Sequence, residues 1–99
     1  MLEEILKGGR EQATPTRDLM RILRLDSERE LRLLIAHERA EGVPICSTTT
    51  PPGGYFLPEN AAEARHFVAS MDSRLQEITK ATAAVRKYLE TMEEGEEDG

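Results

Sequence analysis

The last third of the chain is the region whose sequence most narrowly restricts its structure. Between Pro58 and Gly95 there is neither proline nor glycine, the two residues that most often interrupt or end a helix. A helix over this interval holds about 36 residues and is about 54 Å long. We therefore predict a single long helix over residues 59–94.

Apolar residues recur along this predicted helix in alternating steps of four and three, which is the spacing of a coiled-coil seam. With Val68 as the first a position, Thr82 is the one polar residue in the seam. We predict that the helix self-associates through this seam. The predicted oligomerisation residues are Val68, Met71, Leu75, Ile78, Val85 and Leu89.

The form of this self-association is less closely fixed by the pattern. Phe67 and Tyr88 flank the seam and widen its apolar face, which favours a bundle over a two-stranded zipper. Leucine at a with β-branched residues at d also leans away from a parallel dimer. The alternative is that the helix folds back onto the N-terminal part of its own chain.

The distribution of charge bears on the type of partner. The net charge of −6 opposes binding to nucleic acid. However, six acidic residues and no basic one lie from Glu90 onward, and residues 95–99 are predicted to be a disordered acidic tail. The rest of the chain is balanced in charge, so local arginines remain able to bind a duplex weakly and with strong salt dependence.

Size and composition predict one small soluble domain with a modest core. The 99 residues are 38% hydrophobic and 4% aromatic. Neither a membrane-length apolar stretch nor a basic secretory start is present, so we predict a cytoplasmic protein. The single cysteine, Cys46, excludes an internal disulfide, and we predict that it is a buried apolar residue.

Two short helices are predicted before residue 25. Leu2, Ile5 and Leu6 are spaced for one helical face, and Gly8-Gly9 is expected to end that first helix. Thr14-Pro15-Thr16 offers hydroxyl caps and a proline suited to the first turn of a second helix.

A third helix is predicted from a capping box at Ser27-Glu28-Arg29-Glu30. In this motif Ser27 caps a backbone amide, and Glu30 reaches back to the amide of Ser27. Leu31, Leu34 and Ile35 give the helix a buried stripe, and Gly42 supplies its end.

The next segment is predicted to be a two-stranded antiparallel hairpin. Its strands run from Val43 to Ser47 and from Tyr55 to Leu57. The tip, Thr48 to Gly54, contains two prolines and is longer than a tight turn requires. We therefore predict a projecting loop.

Two stretches of the sequence resemble a known family. They are LDSERELRLLIAHERAEGVPICS, residues 25–47, and GGYFL, residues 53–57. They resemble winged helix-turn-helix domains of the biotin-repressor type, and more closely the small winged-helix proteins encoded by bacteria and their phages. The resemblance covers about residues 1–58 and implies a mainly α fold with a β-hairpin wing. Glu38 departs from the pattern, because the family usually has leucine there. The biotin chemistry is not carried over, since no ligand-binding or catalytic domain follows.

The resemblance implies that the third helix enters the major groove while the wing lies against a phosphate or the minor groove. On the helical wheel, Arg29 and Arg32 can reach guanine edges or phosphates, and Leu33 can meet a thymine methyl. Ala36 permits close approach. The residues predicted to contact DNA are Arg17, Ser27, Arg29, Arg32, Leu33, Ala36, Thr48, Thr49 and Thr50.

Two functional classes remain open. The first is a DNA-binding regulator of phage or prophage type that binds duplex DNA as an oligomer. The second is a winged-helix module for protein interaction or assembly, in which the arginines form a solvated face among glutamates. No catalytic constellation is present and His37, His66 and Cys46 lack metal spacing, so we predict no enzyme, cofactor, metal or small-molecule ligand.

Overall fold

The computed structural model describes residues 1–98, with side chains described for residues 1–95. Within that range the helices are α1 (Thr16–Leu23), α2 (Glu28–Ala40) and α3 (Ala61–Asp98), with short 3₁₀ turns at Leu2–Glu4 and Arg10–Gln12. The strands are β1 (Cys46–Thr48) and β2 (Gly54–Phe56), which form one antiparallel hairpin. The prediction of a mainly helical chain with a β-hairpin and a long C-terminal helix is confirmed.

The chain forms two compact units, Met1–Phe67 and Val68–Gly99, called here the N-terminal and C-terminal units. The predicted division at residue 58 falls before the start of α3, whereas the observed one falls inside it. The difference has a physical cause, because Phe67 packs against the buried side chains of Ala13, Cys46 and Phe56. The first turns of α3 are therefore part of the N-terminal unit.

The first predicted helix is wrong in extent, since only the 3₁₀ turn at Leu2–Glu4 forms. The backbone that follows bonds to the chain beyond β2 instead. The amide of Leu57 donates to the carbonyl oxygen of Lys7 at 2.9 Å, and the amide of Gly9 donates to the carbonyl oxygen of Leu57 at 2.8 Å. Because these groups are taken by a distant segment, they are not available for helical bonds.

The cap of α2 follows the predicted motif with one change. Ser27 Oγ accepts from the amide of Glu30 at 3.2 Å, as the capping box predicts. The carboxylate of Glu30, however, accepts from the amide of Asp26 at 3.0 Å rather than from that of Ser27. These two hydrogen bonds thus join Glu30, in the first turn of α2, to both residues that precede the helix, Asp26 and Ser27.

Helices α1 and α2 and the segment before β1 enclose the main core. Its aliphatic residues come from positions far apart in the sequence, including the first turn and the chain entering the hairpin. The buried cluster consists of Leu2, Leu6, Leu19, Leu31, Ile35, Val43 and Ile45. Cys46 is also buried, as predicted, and burial raises the pKa of its thiol.

Glu38 is a buried carboxylate on the inner side of α2, with only 5% of its surface exposed. Its Oε1 accepts from the amide of Leu2 at 2.7 Å and lies 3.1 Å from the amino group of Met1. The hydrogen bond from Leu2 is the main reason that the pKa of Glu38 is lowered. Glu38 therefore ties α2 to the first turn by a polar contact.

The hairpin is shorter than predicted but has the predicted antiparallel sense. Ser47 pairs with Tyr55, and the loop runs over residues 49–53. Tyr55 also pairs with Thr14, through amide-to-carbonyl bonds of 2.8 and 3.0 Å. Gly54 has a φ of +113°, and a Cβ there would clash with the carbonyl oxygen of Thr14, so this position requires glycine.

Helix α3 begins with a cap that includes a long-range contact. Asn60 Oδ1 accepts from the amide of Glu63 at 2.9 Å. The Glu63 carboxylate accepts from the amides of Glu59 at 3.0 Å and Arg10 at 3.1 Å, which lower its pKa. The start of α3 is thus fixed to the segment before α1.

The C-terminal unit is helical as far as Asp98, four residues beyond the predicted end at residue 94. Gly99 lies outside the described residues, and the predicted disorder of residues 95–99 stays a prediction. Met71 is half-buried. The other predicted oligomerisation residues are exposed, namely Val68, Leu75, Ile78, Val85 and Leu89.

Candidate nucleic-acid interface

Helix α2 presents one face to the core and the opposite face to solvent. Leu31 and Ile35 are almost fully buried on the inner face. Arg29, Leu33 and Ala36 are exposed, as the helical wheel predicts. Because the inner face is packed and Ser27 caps the first turn, α2 is a fixed support for its outward side chains.

The two arginines chosen from the sequence differ in their surroundings. Arg32 Nη1 lies 3.5 Å from Glu28 Oε2, one helical turn away, and both side chains are largely exposed. Such an ion pair is weak in water, so Arg32 can readily exchange the Glu28 carboxylate for another anion. In the described part of the chain, Arg29 forms no ion pair. Arg29 is thus the more available cation on this face.

Acidic groups near the face are partly occupied by internal contacts. The Glu30 carboxylate is turned back to the amide of Asp26. At the other end of α2, His37 Nε2 lies 3.0 Å from Glu41 Oε1. Glu30 and Glu41 are therefore each engaged in a contact within the chain.

Exposed apolar side chains also lie on α1 and α2. Leu33 is 60% exposed and Ile22 is 54% exposed. Leu33 is predicted from the sequence to contact a thymine methyl, whereas no DNA contact is predicted for Ile22. Exposed apolar side chains of this kind suit a protein partner as well as a base edge.

The arginines of α1 and of the turn after it form a second group. Arg17 is exposed in the first turn of α1, as its predicted phosphate contact requires. Arg21 is paired with Asp18 at 3.1 Å. Arg24 is exposed in a left-handed conformation at the end of α1, with φ of +57°. Sequence reasoning missed Arg24, although its place three residues before the Ser27 cap marked it as a turn residue.

The loop of the hairpin offers hydroxyl groups but no cations. Thr49 and Thr50 are exposed, and Thr48 is half-buried. Thr48 Oγ1 accepts from the amide of Thr50 at 3.1 Å, and the amide of Gly53 donates to the carbonyl oxygen of Thr50 at 2.7 Å. Any phosphate contact from this loop would be made by hydroxyl and amide groups rather than by charge.

Arg39 is used inside the N-terminal unit. Its Nε donates to the carbonyl oxygen of Ile45 at 2.9 Å, and its guanidinium lies 5.6 Å from the centre of the Phe67 ring. This arginine therefore joins the end of α2 to the hairpin and to α3, and it is not part of the exposed face.

Among residues 1–95, whose side chains the structure describes, no three His, Cys, Asp or Glu side chains gather in an arrangement suited to a metal ion. None of the helices described here combines the length and apolar character needed to cross a membrane.

The chain gives no match to protein-family models, to curated proteins or to solved structures. The residues of α1, α2 and the hairpin therefore carry the functional proposal.

Proposed function

We propose that this protein binds double-stranded DNA through α2 and the β1–β2 hairpin, as a winged helix-turn-helix regulator of phage or prophage type acting in the cytoplasm. The order of α1, α2 and hairpin supports the winged arrangement, as does the pairing of Thr14, in the segment before α1, with Tyr55 in the middle of β2. The role is binding rather than catalysis.

The exposed face of α2 is the observation that carries this proposal. Arg29 and Arg32 lie on the solvent side of a helix whose inner side is packed in the core. A guanidinium can donate two parallel hydrogen bonds to a guanine edge or to a phosphate. Ala36 follows on the same exposed face and leaves room for a base edge.

Electrostatics limit the strength of this binding. The whole chain carries a net charge of −6, and the hairpin loop contains neither lysine nor arginine. Duplex binding therefore depends on a few arginines and weakens steeply as salt rises. A second copy of the chain compensates for a weak single site, since two reading helices on one duplex bind with an enhanced effective concentration.

Self-association through α3 is the second part of the proposal. Leu75 and Ile78 are 61% and 55% exposed, and they belong to an apolar seam repeated along the helix. A seam of this length gains stability when another helix covers it. Double-stranded DNA and a second copy of the chain are thus the proposed partners.

The alternative function is a protein-interaction or assembly module with the same fold. It is favoured by the exposed Leu33 and Ile22 and by the pairing of Arg32 with Glu28. In that case the apolar residues of α1 and α2, rather than the arginines, would dominate the surface.

The test compares two double variants that change the net charge equally. R29A/R32A removes two arginines from α2, and K80A/K87A removes two exposed lysines from α3. Binding to a fluorescent duplex is measured by anisotropy at low and moderate salt. We expect R29A/R32A to lose about 1–3 kcal/mol of binding free energy for each arginine that contacts a base. The affinity of K80A/K87A for the duplex should stay near that of the parent.

Equal losses in the two variants would mean that total charge, rather than α2, governs binding. If the parent itself fails to bind duplex at low salt, DNA binding is overturned and the protein-interaction function takes its place.

A further inference from the structure

We propose that α3 pairs with α3 of a second copy in antiparallel orientation, with the two-fold axis beside residue 80. This inference rests on the self-association in the proposed function and specifies its geometry. It follows from the order of charges along one edge of the exposed seam.

The seam is defined by its heptad positions. Leu75 and Thr82 are a positions, and Ile78 and Val85 are d positions. In an antiparallel pair each a residue lies level with a d residue of the other helix. An axis beside residue 80 sets Leu75 level with Val85 of the second copy, and Thr82 level with Ile78 of the second copy. These apolar side chains are exposed in the chain by itself.

The position that follows each d residue, called e, lies at one edge of the seam. Along α3 the e residues are Arg65, Asp72, Thr79, Arg86 and Glu93. Antiparallel pairing brings e residues of the two helices together, because both copies present the same edge to each other. With the axis beside residue 80, Asp72 meets Arg86 of the second copy and Arg65 meets Glu93 of the second copy. The two-fold symmetry repeats each contact, which gives four attractive pairs.

A parallel pair makes no use of these charges. In that orientation each e residue faces the residue before an a position, called g, on the other helix. Asp72 would then face Phe67, and Arg86 would face Ala81. Thr79 would face Arg74, and Glu93 would face Tyr88. None of these four contacts joins opposite charges.

The same charges also select the register. A shift of one heptad in one direction sets Arg65 against Arg86 of the second copy. The opposite shift sets Asp72 against Glu93 of the second copy. Both contacts are repulsive, so the axis beside residue 80 is the register in which every charged e residue meets its opposite.

Residues near the proposed axis are compatible with close approach. Thr79 and Ala81 would each lie near the same residue of the second copy, and both are small. At the g edge, Arg74 would meet the ring of Tyr88 of the second copy, a contact suited to a cation–π interaction. Tyr88 is 62% exposed in the chain by itself.

Asp72 and Arg86, at the e edge of the seam, form no ion pair within the described residues of one copy of the chain. Both side chains are exposed. They are separated by fourteen residues, or about 21 Å along the helix. Any energetic coupling between them therefore has to come from a second copy.

A charge exchange tests this coupling. Sedimentation is measured over a range of concentrations for the parent, D72R, R86D and the double variant D72R/R86D. We expect each single variant to weaken self-association about tenfold, because two attractive contacts become repulsive. The double variant restores opposite charges at both contacts and should recover to within about threefold of the parent. K87D changes the charge on the neighbouring outer position and should leave association unchanged.

Cysteine crosslinking tests the orientation separately, in a Cys46→Ala background. Along the antiparallel pair, residue 75 of one copy lies about 15 Å from residue 75 of the other. We therefore expect L75C by itself to resist oxidation to a dimer. A mixture of L75C and V85C should give the mixed disulfide, identified by its mass.

The outcomes separate the two proposals. A parent that remains monomeric at every concentration overturns self-association and this inference together. If the parent does associate, either of two results overturns the antiparallel pair alone. One is that L75C crosslinks to itself, and the other is that D72R/R86D does not recover self-association. DNA binding is measured independently of both results.

Discussion

The two units of this protein differ in how far their apolar side chains are exposed to solvent. Leu31 in the N-terminal unit is fully buried, whereas Leu75 in the C-terminal unit is 61% exposed. The N-terminal unit assembles its core from residues distant in sequence, so one chain is enough to complete it. The C-terminal unit, as far as the structure describes it, consists of one helix, the greater part of α3. Its exposed apolar residues are the basis of the proposed self-association, whereas those of the N-terminal core need no second copy.

The largest expected effect comes from placing charge in the seam. We expect L75D/I78D to abolish self-association, because each buried aspartate lacks a partner and costs several kcal/mol. The N-terminal unit should remain folded, since neither residue belongs to its core. Sedimentation reports the association, and circular dichroism with thermal melting reports the fold.

The matched control for this change is S73D/Q76D. It adds two aspartates with the same spacing on exposed positions outside the seam. Association of this variant should match that of the parent. If S73D/Q76D dissociates the oligomer as fully as L75D/I78D, the effect is one of net charge, and the seam is not the interface.

The second prediction compares two leucines of α2. Leu31→Ala empties a fully buried site and should lower the free energy of unfolding by about 2–5 kcal/mol. Leu33→Ala removes the same atoms from an exposed site and should change it by less than about 0.5 kcal/mol. Urea denaturation of the two variants measures the difference. Similar losses in both would show that Leu33 is covered in solution.

Much of the N-terminal unit follows from local sequence signals. The Ser27 cap, the inward face of α2 and the antiparallel hairpin depend on residues close together in the chain, and sequence patterns register such signals well. The exposure of Arg29 and Arg32 follows from the same periodicity, so the candidate face was predictable.

The contacts that sequence patterns missed join distant segments. The prediction of the first helix was wrong because the backbone of Lys7 and Gly9 forms hydrogen bonds with Leu57, some fifty residues along the chain. The pairing of Thr14 with Tyr55 has no local signature either. Phe67 was placed at the edge of the seam by its heptad position, but it packs in the N-terminal unit. Periodicity within α3 carries no information on such tertiary contacts.

The third prediction concerns the junction between the hairpin and the segment before α1. Gly54→Ala would drive a methyl group into the carbonyl of Thr14 and hold alanine at positive φ. We expect a loss of about 1–3 kcal/mol in unfolding free energy. Gly8→Ala is the control, because nothing lies within 4 Å of a Cβ there. Equal stability of the two variants in urea would mean that the hairpin moves away from Thr14 without cost.

The smallest effect is expected from the carboxylate that joins the first turn to α2. The pKa of Glu38 is lowered below its usual value of 4.5, chiefly by the hydrogen bond from the amide of Leu2. A carboxylate with a lower pKa in the folded state stabilises the fold above its unfolded pKa. That contribution is lost as pH falls through the folded value. The midpoint temperature of the parent should therefore fall between pH 6 and pH 3 by more than that of E38Q.

The neutral amide of E38Q retains an oxygen that can accept from Leu2 but carries no charge to titrate. We expect the E38Q midpoint at pH 6 to lie several degrees below that of the parent and to approach it at acid pH. Glu3→Gln removes an exposed carboxylate from the same turn and should leave the difference between parent and E38Q unchanged. Parallel pH curves for the parent and E38Q would show that Glu38 titrates alike in the folded and unfolded chains. The contact with Leu2 would then hold the first turn without any contribution from its charge.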